Sequence, residues 1–113
     1  MGARINYIFD DGTDALTLLY SHYGAYTWQE DLADALSHAK VRQGDDAYFT
    51  RMVISHLMRD AILTESGFGI YAVNREELKD TSKFDAMVIL DLVNNVFITE
   101  DGQATPFYQE SLV

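Results

Sequence analysis

Along this chain the spacing of apolar positions switches between a period of two and a period near 3.6. Ile5, Tyr7 and Phe9 recur at every second residue, as in a strand. Asp11-Gly12, inside the polar stretch 10–14, marks a turn, and residues 15–20 supply a returning strand. After the loop 21–26 the period lengthens: Trp28, Leu32, Ala35, Leu36 and Ala39 form a helical stripe, with Glu30, Asp31 and Asp34 outside it. Thr27 and Glu30 have the spacing of a capping box, which predicts a first helix over 28–40. Gly44 marks the stop region. Asp45 or Asp46 is then expected to cap a second helix over 46–62, with Phe49, Met52, Val53, Leu57 and Ala61 turned inward.

From Gly67 the period returns to two, with Phe68, Ile70 and Ala72 on one face and Gly69, Tyr71 and Val73 on the other. The pair Gly67 and Gly69 suggests a bulge or a close backbone approach. Residues 76–83 are polar enough for one helical turn, and strands over 86–92 and 96–99 flank the turn candidate Asn94-Asn95. Thr105 and Pro106 suggest a short terminal helix that docks Phe107 and Leu112. The order β-β-α-α-β-β-β predicts one α+β domain over 1–113. Its architecture is two-layered: a mostly antiparallel five-stranded sheet packs against two helices, and its other face is solvated or covered by a partner.

Composition supports a true core: 48% of the 113 residues are hydrophobic and 12% aromatic. Cysteine is absent, so disulfides and thiolate metal sites are excluded. The N-terminal residues carry no apolar run of signal-peptide type, and no segment approaches the roughly 18 apolar residues of a membrane span. A cytoplasmic protein is expected, in a host cell if the chain is viral. Eight basic and 18 acidic residues give a net charge of −10. That charge disfavours direct contact with nucleic acid or an anionic membrane and favours a protein partner with a basic surface. Residues 1–40 hold two basic and six acidic groups and residues 76–113 two and eight, whereas residues 41–75 balance at four and four.

The candidate chemistry is sparse. His22, His38 and His56 fall in three different elements without metal-ligand spacing, so no metal site or cofactor is expected. The acidic stretch 10–14 lacks the twelfth-position Glu of a calcium loop. Ser21-His22 has no nucleophile elbow and no third orienting group, and no enzyme is inferred; a cryptic site would have to join His22 to Glu65. Tyr20, Tyr23, Tyr26 and Trp28 crowd the loop before the first helix, and they read either as the edge of the core or as interface anchors. Arg51, Ser55 and Arg59 are spaced by four on the second helix, with Arg42 upstream. They pair with the chain's own carboxylates or form an anion site suited to phosphate.

Tyr20-Ser21-His22-Tyr23-Gly24, the acidic start of the first helix, and Glu65-Ser66-Gly67-Phe68-Gly69-Ile70 together resemble a family of small bacteriophage and prophage proteins. The resemblance implies a viral or mobile-element context, in which compact acidic proteins often inhibit host defence, anti-CRISPR proteins among them. The expectation is therefore a non-enzymatic phage accessory protein that binds a host protein through an acidic surface mimicking nucleic acid. Tyr23, Tyr26, Glu30, Asp31 and Asp34 are its contact residues, and homo-oligomerisation is compatible with it. The alternative is an oligomeric nucleotide-binding sponge built on Arg51 and Arg59.

Overall fold

The computed structural model describes residues 4–80 and 86–108. Alternating residues form β1 (Ile5–Asp10) and β2 (Ala15–Ser21), joined by a turn in which Gly12 has φ +89°. The Asp10 and Asp11 carboxylates accept backbone N–H groups of Gly12 and Thr13, which fixes that turn. Then come α1 (Trp28–Ala39), a 3-10 turn over Lys40–Arg42, and α2 (Asp46–Leu57). The second half comprises β3 (Phe68–Asn74), a 3-10 segment over Arg75–Lys79, β4 (Met87–Asp91), β5 (Val96–Ile98) and β6 (Ala104–Pro106).

The sheet runs β3-β2-β1-β4-β5-β6. Among the described residues it has six strands and is mixed, not five-stranded and mostly antiparallel. β1 pairs antiparallel with β2 but parallel with β4, from Asn6↔Met87 to Asp10↔Asp91. The sixth strand replaces the expected terminal helix: Pro106 sits in β6, while Phe107 docks as foreseen, stacking on Phe49 at 5.6 Å. Leu112 lies outside the described residues.

Both helices pack on one face. Ile5, Tyr7, Phe9, Leu19, Val88 and Leu90 of the strands meet Leu32, Leu36, Phe49 and Val53 of the helices, all buried. The Tyr108 hydroxyl donates to the Leu36 carbonyl at 2.5 Å, and burial pushes its pKa up to about 12. The opposite face is not the open surface expected. Ile8, Leu16, Leu18 and Val73 form a second buried cluster there, flanked by Tyr20, Leu78, Met87 and Ile89. Leu78 belongs to the 3-10 segment, which a true capping box starts: Asn74 accepts from Glu77 N, and Glu77 accepts from Asn74 N.

Two helix-end expectations need correction. Thr27 makes no capping bond; its hydroxyl donates to Asp31 at 2.8 Å instead. Helix α2 starts at the Asp45 cap but ends at Leu57, not near residue 62. There the Arg59 guanidinium donates to the His56 carbonyl at 2.8 Å and completes the end. Leu57 is therefore half-buried at a helix terminus, not fully enclosed; Trp28 is half-buried as well.

A candidate docking surface around the loop before α1

The loop between β2 and α1 is held close to the end of the sheet by Gly24. A Cβ at that position would lie 2.6 Å from Ser21 Oγ and 3.2 Å from Ile5 Cγ2, so only glycine fits. The Gly24 carbonyl accepts from Thr27 N at 3.2 Å, which turns the chain into the helix. This tight passage leaves its aromatic side chains outside. Tyr26 is 91% exposed and Tyr23 75%. Trp28, one residue beyond the loop, packs edge-to-face on Phe97 at 5.9 Å. The aromatic cluster thus divides: Trp28 joins the core, while Tyr23 and Tyr26 do not.

Directly after the loop, the buried stripe Leu32, Ala35, Leu36 and Ala39 turns Glu30 and Asp34 outward. They are one helical turn apart, a spacing at which like charges repel. Neither forms an ion pair among the described residues. Asp31 is half-buried on the flank, where it accepts from Thr27; burial chiefly, and the Asp31 charge in addition, raise the Tyr7 pKa. Four of the five expected contact residues are therefore exposed, and the fifth is partly committed to the helix start.

His22 sits under this loop. Its Nδ1 lies 2.6 Å from the Tyr20 hydroxyl, and its ring meets Tyr23 edge-on at 4.4 Å. The ring lines a shallow cleft of about 360 Å³ with Ser66, Gly67 and Phe68. The partner of His22 is Tyr20 and not Glu65, which is exposed. A second cleft of the same size lies between Trp28 and the β5–β6 turn. Its acids are engaged structurally: Glu100 accepts from Met87 N, and Asp101 accepts from Gln103 N and the Thr99 hydroxyl.

The alternative anion site does not assemble as expected. Arg59 lies past the end of α2, held by the His56 carbonyl and near Asp60. Arg42 lies over the Tyr48 ring at 4.6 Å and near Asp45. Arg51 is exposed on the helix without either of them as a partner. The helix pair instead brings together His38 and His56, with ring centroids 5.3 Å apart, a contact that sequence spacing did not indicate. Among the described residues no three His, Asp or Glu side chains are grouped so that they could hold a metal ion. No helix there is long and apolar enough to cross a membrane.

The chain matches no known family model, and no curated protein or solved structure is similar to it. The phage-family resemblance rests on its motifs alone. Within them the fold accounts for Gly24, required by the close approach to Ser21, and for Gly67, required by φ +101°.

Proposed function

We propose that the protein is a non-enzymatic binding module that docks onto a basic protein surface through Tyr23, Tyr26, Glu30 and Asp34. The observation that carries this reading is the exposure of two tyrosines at 75% and 91%, immediately before a helix whose outward Glu30 and Asp34 carboxylates form no ion pair among the described residues. Tyrosine is costly to leave in water and is favoured as an interface anchor, because it is large, rigid and polar at its tip. The adjacent acids supply steering toward a cationic partner. A basic protein that handles nucleic acid suits such a surface, and the phage-family resemblance suggests a role as an inhibitor of host defence, anti-CRISPR-like in character.

The test compares capture of basic proteins from a bacterial host lysate by wild type, Tyr26→Ala, and Glu30→Gln with Asp34→Asn. Asp31 is left intact because it holds Thr27. A nucleic-acid-binding protein retained at low salt, released at high salt and lost with both variants supports the reading. Capture indifferent to both variants overturns it. Tyr20→Phe removes only the hydroxyl paired with His22 and is expected to leave binding unchanged. The sponge predicts a different outcome: a nucleotide carried through purification and lost with Arg51→Ala.

A further inference from the structure

The two edges of the sheet are built differently. At the β6 edge, Phe107 N donates to Asn95 O and Thr99 N to Gln103 O, so Thr105 faces β5 while Ala104 and Pro106 face outward. That edge is three residues long, and one of its two outward positions has no N–H. Short length and proline are the usual means of blunting an edge strand. At the other edge, His22 N donates to Gly67 O and Arg75 N to Asp14 O. Antiparallel bonding alternates, so Gly69, Tyr71 and Val73 bond to β2, and Phe68, Ile70, Ala72 and Asn74 turn their backbone groups outward. Asn74 N is used by Glu77, but the backbone groups of Phe68, Ile70 and Ala72 have no partner among the described residues. β3 is seven residues long, contains no proline and carries no charge in a chain of net charge −10.

We propose that the protein forms a two-fold symmetric dimer by antiparallel pairing of β3 with β3 of a second copy, centred on Ile70. This register sets Ile70 opposite Ile70 and Phe68 opposite Ala72, so every open N–H and C=O of these residues finds its counterpart and Asn74 N is not required. Between the bonded pairs, Tyr71 of each copy faces Gly69 of the other. Gly69 has no explanation within one copy: its φ is not in the left-handed region, and a Cβ there would meet no atom within 4 Å. A half-exposed aromatic ring lying over a strand glycine of the facing chain supplies one. Ile70, 54% exposed, becomes covered on the opposite face of the strand. Charge agrees as well. Two chains of charge −10 repel over most of their surfaces, but this strand is uncharged.

The experiment is sedimentation equilibrium of the full chain from about 1 to about 500 µM, a range suited to an interface smaller than the usual ~800 Å² per partner. Amide hydrogen exchange is followed in parallel. A monomer–dimer equilibrium is expected, in which the amides of Phe68, Ile70 and Ala72 gain protection with concentration while that of Ala104 does not. Ile70→Lys, placing two ammonium groups at the axis, is expected to weaken the dimer at least about tenfold. Tyr71→Ala is expected to weaken it less, and Ala104→Lys not at all. A wild-type chain monomeric throughout overturns the proposal and leaves the edge to a foreign strand. So does a dimer whose β3 amides stay open. Because the exchange measurement uses the wild-type chain, failure of a variant to fold does not blunt the test.

Discussion

The two faces of the sheet bury side chains of the same kind but are held in different ways. On the helix side, fifteen buried residues among those described, from strands, helices and the C-terminal segment, form one cluster. On the other side the described residues include four buried ones, and the described cover is a 3-10 segment contributing Leu78. That segment is fastened by polar contacts. Arg75 makes a two-pronged pair with Asp10, at 2.6 and 3.0 Å, and also donates to the Thr13 carbonyl at 2.7 Å. Asp10 in turn holds Gly12 of the β1–β2 turn. One face is therefore closed by apolar area, the other by a charged clip that ties the end of β3 to the first hairpin. A sheet this small can bury side chains on both faces, provided something fixes the thinner cover in place.

The largest effect is expected from Leu36→Ala. Leu36 is 1% exposed between α1 and the sheet, and its loss should cost about 2–5 kcal/mol in chemical denaturation. Leu18→Ala, at 0% exposure on the other face, should fall toward the low end of that range, about 2–3 kcal/mol, because a thin cover can settle into the gap. Equal losses would erase the distinction between the faces; a larger loss at Leu18 would reverse it. Next comes Asn74→Ala, which removes the cap of the 3-10 segment and should cost about 1 kcal/mol. Its specific signature is faster exchange of the Glu77 amide, with the helices unchanged. Leu57→Ala, at a helix terminus and half-buried, should cost less than the roughly 2 kcal/mol at which the core range begins.

The elements were legible because each is local. Strand and helix starts at Ala15, Trp28, Phe68 and Val96 follow directly from period changes and turn residues, as does a cap at Asp45 or Asp46, of which the structure uses Asp45. The sheet order was not legible, since the parallel pairing of β1 with β4 joins segments some eighty residues apart and no spacing rule encodes it. The end of α2 was misplaced because Ala61 continues the apolar stripe, although Ile62 and Leu63 are exposed in the loop beyond the helix. Asp60 is an unfavourable residue near a helix C-terminus and could have flagged the earlier stop. The second face was missed for a related reason. Period-two spacing marks Leu16 and Leu18 only as strand residues, and the Asn74-x-x-Glu77 signature that positions their cover lies where polarity alone suggests one helical turn. At the candidate site, the tyrosines and acids were visible as residue types. What separates Tyr26 from Trp28 is the path of the loop around Gly24, which depends on contact with Ser21 and Ile5 from the sheet.

The smallest effect expected is that of pH, and it reads the two faces in separate windows. His56 lies under the helix layer's polar rim, facing His38, Asp34 and Asp31 of α1 and Arg59 beyond its own helix. Burial, reinforced by the Arg59 and His38 charges, holds its pKa below the ordinary 6.5 despite the two aspartates. The unfolded chain therefore binds this proton first, so stability is complete above pH 6.5 and declines as pH falls through the folded value. Asp10 is held below the ordinary 3.8 chiefly by its hydrogen bond from Arg75, against an opposing contribution from burial. Its contribution is present above pH 3.8 and disappears as pH falls through the lower folded value. Melting temperatures across both windows distinguish them. His56→Gln is expected to flatten the slope just below pH 6.5 and leave the acid limb below 3.8 in place. Arg75→Met is expected to do the reverse: a lower melting temperature at neutral pH, and a difference from wild type that closes in strong acid as the Asp10 carboxylate is protonated. If the Arg75→Met difference persisted undiminished below the folded pKa of Asp10, the clip would be holding the second face through the Thr13 carbonyl and the arginine stem, with the carboxylate incidental.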